Sequence, residues 1–133
     1  IGDGANGAEL SVITGRSFDS GLIWQSELGY RFRDGEVPNE WYFNRTLSYA
    51  FNDRLSARLS WNSVDSRGNL DIGGPGFSPA RFPELEEDFD LGLVGVSLAT
   101  NDDWVLGLDY GRKFEGRNTA RSDVFALTVG RGF

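Results

Sequence analysis

The chain has 133 residues, a net charge of −7, and no Cys, Met or His. That length suits a single domain, residues 1–133. The negative charge argues against nucleic acid as a partner, and the missing Cys and His exclude a disulfide framework, thiolate metal sites and an imidazole base. The 18 Gly exceed the roughly 7% of an average protein but are scattered, and no apolar run is long enough for a transmembrane helix. The chain begins at Ile1 with neither an initiator Met nor a signal peptide, so it reads as mature, trimmed or a fragment.

Seven segments alternate with a period of two, most of them about eleven residues long, which predicts an all-β protein. The first, Ala8 to Phe18, alternates least clearly, with Leu10 and Val12 on one face and Ile13 on the other. In the second, Leu22, Trp24, Ser26, Leu28, Tyr30 and Phe32 oppose Gln25, Glu27, Gly29, Arg31 and Arg33. The third sets Trp41, Phe43, Leu47, Tyr49 and Phe51 against Asn44, Thr46, Ser48 and Ala50. The fourth sets Leu55, Ala57, Leu59 and Trp61 against Ser56, Arg58, Ser60 and Asn62. In the fifth, Phe89 to Thr100, Leu91 and Leu93 have one parity and Val94, Val96 and Leu98 the other, so a β-bulge is expected near Leu93–Val94. The sixth sets Trp104, Leu106, Leu108 and Tyr110 against Gly107, Asp109, Gly111 and Lys113. The seventh, Asp123 to Phe133, has a bulky face of Phe125, Leu127, Val129, Arg131 and Phe133 and a small face of Val124, Ala126, Thr128, Gly130 and Gly132.

The connections alternate in length. Asp19-Ser20, Asn52-Asp53 and Asn101-Asp102-Asp103 are tight turns, whereas 34–40, 65–88 and 115–122 are long. The aromatic residues sort by height on the apolar faces. Trp24, Tyr49, Phe51, Trp104 and Phe133 fall near the short-turn ends, and Tyr30, Phe32, Trp41, Phe43, Trp61, Tyr110 and Phe125 near the long-loop ends. Leu28, Leu47, Leu59, Leu106 and Leu127 lie between them. Two aromatic belts around an aliphatic band are what lipid interfaces select. Arg45 breaks the pattern, mid-strand on an apolar face; either a bulge turns it inward or it meets a partner rather than lipid.

With a last strand that alternates and stops on Phe133, the chain resembles the outer-membrane β-barrel proteins of Gram-negative bacteria. The resemblance covers about ten residues, and Arg131 departs from the apolar residue usual at its place. It implies an antiparallel up-and-down transmembrane barrel in the bacterial outer membrane, porin-like or a structural anchor. Its partners would be membrane lipid, lipopolysaccharide and the barrel-assembly machinery, the last of which reads the C-terminal Phe. Seven strands are an odd number where such barrels have even ones. An open edge in lipid costs several kcal/mol per unpaired group, so the first segment is expected to pair with strands from upstream sequence or from another chain.

On the polar faces, Gln25, Glu27, Arg31, Asn44, Arg58, Asn62, Asp109 and Lys113 are the expected lumen-lining residues, either passing a solute or filling a narrow barrel with paired charges. The interface aromatics are Trp24, Tyr30, Trp41, Tyr49, Trp61, Trp104, Tyr110 and Phe133. In the long loop, Glu84, Glu86, Glu87, Asp88 and Asp90 are candidates for binding Ca²⁺ or Mg²⁺, or else a solvated acidic surface. Gly73 to Pro79 lacks a phosphate-loop pattern and reads as an irregular, mobile stretch. No cofactor is implied, and a non-enzyme is expected: no His activates a serine, and a Glu27–Asp109 carboxylate pair has nothing beside it to position a substrate. Two rivals remain. A soluble lipocalin-like barrel would turn the apolar faces inward onto a ligand, and an assembly subunit would pack them on other chains, which also suits Arg45.

Overall fold

The computed structural model describes residues 6–131. Its strands are β1 (Gly7–Ser17), β2 (Leu22–Arg33), β3 (Asn39–Ala50), β4 (Leu55–Arg67), β5 (Asp88–Ala99), β6 (Trp104–Arg117) and β7 (Asp123–Arg131). They form one antiparallel up-and-down sheet in the order β1-β2-β3-β4-β5-β6-β7. Each strand pairs only with its neighbours in sequence, and β1 and β7 are free edges among the described residues. No helix is long and apolar enough to cross a membrane.

Strand pairing carries the alternation of each segment across the whole sheet. One face holds the row Trp24–Leu47–Leu59–Val94–Tyr110–Phe125, and the other holds Ser48–Arg58–Gly95–Asp109–Ala126. The short connections, residues 18–21, 51–54 and 100–103, gather at one end, the turn side. Gly21 (φ 81°) and Asp103 (φ 59°) take the left-handed conformation that such tight turns need. The longer connections, 34–38, 68–87 and 118–122, gather at the opposite, loop side. Three elements run longer than their patterns indicated: β3 starts at Asn39, β4 continues to Arg67 and β6 to Arg117.

The expected bulge at Leu93–Val94 is absent. β5 pairs with β4 without interruption, so Leu91 opposes Asn62 and Leu93 opposes Ser60 on the polar face. The change of parity is a change of which face carries the leucines. The irregularity lies one strand on, where Asp90 opposes Glu115 but Leu91 opposes Lys113. Phe114 is therefore the extra residue, and it stacks on Trp61 with ring centroids 5.3 Å apart and 4° between planes. Its aromatic surface stays on the apolar side as a result.

The burial pattern is the reverse of a soluble sheet's. The best-buried strand side chains include Glu40, Tyr42, Ser66 and Asp109, all on the polar side. Leu28, Leu59, Leu108 and Trp104 are among many large apolar residues that stand exposed on the other face.

Candidate functional site: the polar face and its loop-side cap

The polar face is organised by side chains that cross a strand to reach their partners. In the row Ser11–Gly29–Tyr42, the missing Cβ of Gly29 leaves a saddle for the Tyr42 ring; a Cβ there would lie 2.2 Å from Cζ. Tyr42 thereby extends from β3 over β2 and donates its hydroxyl to Glu9 (2.5 Å) and Glu27 (3.2 Å). Asn44 Nδ2 donates to the other Glu27 oxygen at 3.0 Å. Arg31 binds Glu9 at 2.5 Å and Glu40 at 2.6 Å, lies over the Tyr42 ring at 4.6 Å, and shares Glu40 with Arg33 at 3.0 Å. Strands β1, β2 and β3 are joined by this one network of charge-assisted hydrogen bonds.

A second crossing uses Gly95. Arg58 on β4 reaches over β5 to Asp109 on β6, with Nε to Oδ1 at 2.8 Å and Nη2 closing the second arm on Oδ2. A Cβ on Gly95 would lie 1.9 Å from that Oδ1. The fork-on-fork geometry and the near-complete burial of Asp109 make this the best-formed ion pair of the sheet. Lys113 sets its ammonium over the Phe89 ring at 4.7 Å. Gln25 and Asn62 stand on the same face, opposite Thr46 and Asn44 respectively.

The loop-side end of this face is covered by residues 68–87. The loop contains a 3₁₀ helix, Pro79–Glu84, and folds back so that Phe82, Pro83 and Leu85 roof a cavity of about 370 Å³ floored by Arg31, Glu40, Val64 and Phe89. Gly73 to Ser78 runs through turns without regular structure, but only between anchored ends: the loop is clasped by the end of β6 at Leu70 to Ile72 and at Glu86. Arg117 pairs with Asp71 at 2.7 Å and with Glu86. Asn118, in the left-handed conformation (φ 54°), donates to the Leu70 and Glu86 carbonyls and accepts from the Ile72 N–H. Leu70 and Leu85 make a parallel bridge, and both are buried. The Arg117 guanidinium, then Asn118, hold the Asp71 carboxyl below the ordinary aspartate value. A hydrogen bond from Arg81 does the same for Glu84.

The acidic run does not converge on a cation. Glu84 is bound to Arg81 and Glu86 to Arg117, while Asp88 accepts from the Ser66 N–H at 2.8 Å. Asp90 accepts from Ser63 at 2.6 Å and Trp61 at 3.1 Å on the apolar side, and Glu87 is exposed. No three carboxylates meet among the described residues. Glu27 and Asp109 lie on β2 and β6, and each is held by a different partner set.

On the apolar side, Tyr30 packs between Phe32 (4.5 Å) and Trp41 (4.7 Å), Tyr49 meets Phe51 at 5.0 Å and Tyr110 meets Phe125 at 5.0 Å. Trp24 and Trp104 stand at the turn side, Trp104 beneath the Arg131 guanidinium; Phe133 lies outside the described residues. No bulge turns Arg45 inward. It stays on the apolar side, stacks on Phe43 at 4.4 Å and donates to Ser63 Oγ at 3.2 Å, and Ser63 in turn donates to Asp90. Its charge is thus relayed to a carboxylate through one hydroxyl.

Glu9, Glu40, Tyr42, Asp71, Arg117 and Asn118 are side chains of this candidate site that sequence reasoning did not single out. Tyr42 and Glu40 were within reach, since extending the period of two back from Asn44 puts both on the polar face. Comparison with family models, with curated proteins and with solved structures gives no match for this chain.

Proposed function

We propose that this chain forms the wall of a transmembrane β-barrel in a bacterial outer membrane, with the apolar face toward lipid, and that it serves as a membrane anchor or porin-like passage. The observation that carries this reading is the inverted burial: Asp109 is 5% exposed, whereas Leu59 is 60% and Leu127 76% exposed. On β2 to β6 water would meet the wrong side of the sheet, but a bilayer would meet the right one. A lipocalin-like barrel would require the apolar set inside, against this arrangement. The segregation of short turns and long loops, and the aromatic residues toward both ends of the strands, support the same reading.

Within it, the ion pairs of the polar face favour an anchor or a narrow passage over a wide pore. Arg31, Arg58 and their carboxylates occupy each other, and the loop-side end is roofed by residues 68–87. Arg45 stands opposite Trp61 of the loop-side belt, where a cation costs less than the roughly 2–4 kcal/mol of the midplane, and Phe43 and Ser63 supply its contacts there. Lipopolysaccharide would surround the loop side, and the assembly machinery would act through the C-terminal strand. The test is extraction and gel mobility. The reading predicts retention in membranes after urea or carbonate washing, release by detergent and a folded form that shifts on heating. Release by urea alone would contradict it. Planar-bilayer recordings then separate the functions: an anchor gives no steps, and a porin-like passage gives small, reproducible ones.

A further inference from the structure

We infer that the sheet is closed by an odd number of additional strands, one in the simplest case, running opposite to β1 and β7 and supplied by the same polypeptide upstream of β1. This rests on the membrane reading above. Six antiparallel steps separate β1 from β7, so the two edges run in the same direction, from loop side to turn side. Both are unpaired among the described residues, and their outward leucines, Leu10 at 70% and Leu127 at 76%, are more exposed than Leu59 at 60% inside the sheet.

Direction decides among the possible occupants. Joining β1 to β7 directly would make the one parallel seam in an otherwise antiparallel sheet, and these strands make no contact. A second copy inserted with the same sidedness would bring its β1 beside β7, which is parallel again. A copy inserted upside down would pair antiparallel but would place its acidic loops on the opposite side of the membrane. An odd number of oppositely directed strands satisfies both edges with the pairing used everywhere else. An upstream source fits the geometry of the loop side. A strand running opposite to β1 ends where β1 begins, and there Asn6 is fastened to Asp34, its N–H to Oδ1 at 2.7 Å and the Asp34 N–H to the Asn6 carbonyl at 2.9 Å. The sequence Gly2-Asp-Gly-Ala-Asn-Gly7 has the composition of a connection. A hairpin joined there keeps the alternation of short turns and long loops.

The experiment is site-specific photo-crosslinking of the full-length polypeptide in membranes, with benzoylphenylalanine placed at the position of Ile13 in one variant and of Thr128 in another, edge-strand positions on the polar face and so turned away from lipid. Both adducts are expected to map by mass spectrometry to one stretch upstream of residue 1 of the same chain. Adducts between β1 and β7 of one chain, between two copies, with another protein, with residues beyond Phe133, or with lipid alone at both positions would each overturn the inference. Urea washing of the same membranes separates this failure from failure of the membrane reading: a protein that washes out was never embedded, and one that stays but maps elsewhere refutes only the closure.

Discussion

Substituting Gly95→Ala tests whether the polar face is held by side chains crossing glycine saddles. The new methyl would lie 1.9 Å from Asp109 Oδ1 and 2.9 Å from its Cγ, with Arg58 Nε at 3.0 Å, so the carboxylate must withdraw and the two-armed pair must open. Breaking a fully buried pair costs about 3–5 kcal/mol. The Arg58 side chain is 41% exposed and regains water, so the expectation falls to about 2–3 kcal/mol. In an Asp109→Ala background the obstruction is gone, and Gly95→Ala should be neutral or slightly stabilising, because alanine loses less backbone entropy than glycine on folding. Urea unfolding in detergent micelles, followed by tryptophan fluorescence, gives the four corners of the cycle. Equal costs of Gly95→Ala in the two backgrounds would refute the saddle and leave Gly95 an ordinary strand glycine.

Arginine at Leu106 or Leu127 should block membrane assembly at a cost of about 2–4 kcal/mol each near the midplane. Ser60→Arg on the polar face should be tolerated better, and equal tolerance at all three sites in a heat-modifiability gel would contradict the assignment of faces. Asn118→Ala should expose loop 68–87 to limited proteolysis while leaving the strands intact; unchanged cleavage would show that the clasp does not hold the loop. The Asp71 carboxyl is depressed in the folded state, so its contribution is present above the ordinary aspartate value and is lost as pH falls through the lower, folded one. Protection of the loop should therefore persist from neutral pH to about pH 4 and fail only below it. Deleting Phe133 should slow insertion in cells more than refolding in micelles; equal losses would make it a packing residue only.

Alternation made the strands legible, because a sheet with two different environments forces every second residue to one side. The turn positions were legible for the same reason at Asp19-Ser20 and Asn52-Asp53, where short polar residues leave the chain no other local structure. The place of the bulge was not. Leu91 and Leu93 look like apolar-face residues by type, and only pairing to Asn62 and Ser60 shows that they point the other way. The partners of the charges were equally hidden: Arg58 and Asp109 are 51 residues apart, and what joins them is the absent side chain of a third residue. The same holds for the loop, where an acidic run suggested a cation but Glu84, Glu86, Asp88 and Asp90 each had donors of their own. Open edges, finally, are a property of strand direction, which a count of segments implies but only the sheet order makes definite.

The central claim is that the apolar face meets lipid, and the protein contains its own reporters. All four tryptophans, Trp24, Trp41, Trp61 and Trp104, lie on that face and none on the other. Fluorescence of the unmodified protein reconstituted in vesicles, with and without brominated acyl chains, measures it directly. The emission should be blue-shifted, strongly quenched by bromolipid and little affected by iodide. Emission indifferent to bromolipid and quenched by iodide would place the tryptophans in water and contradict the claim.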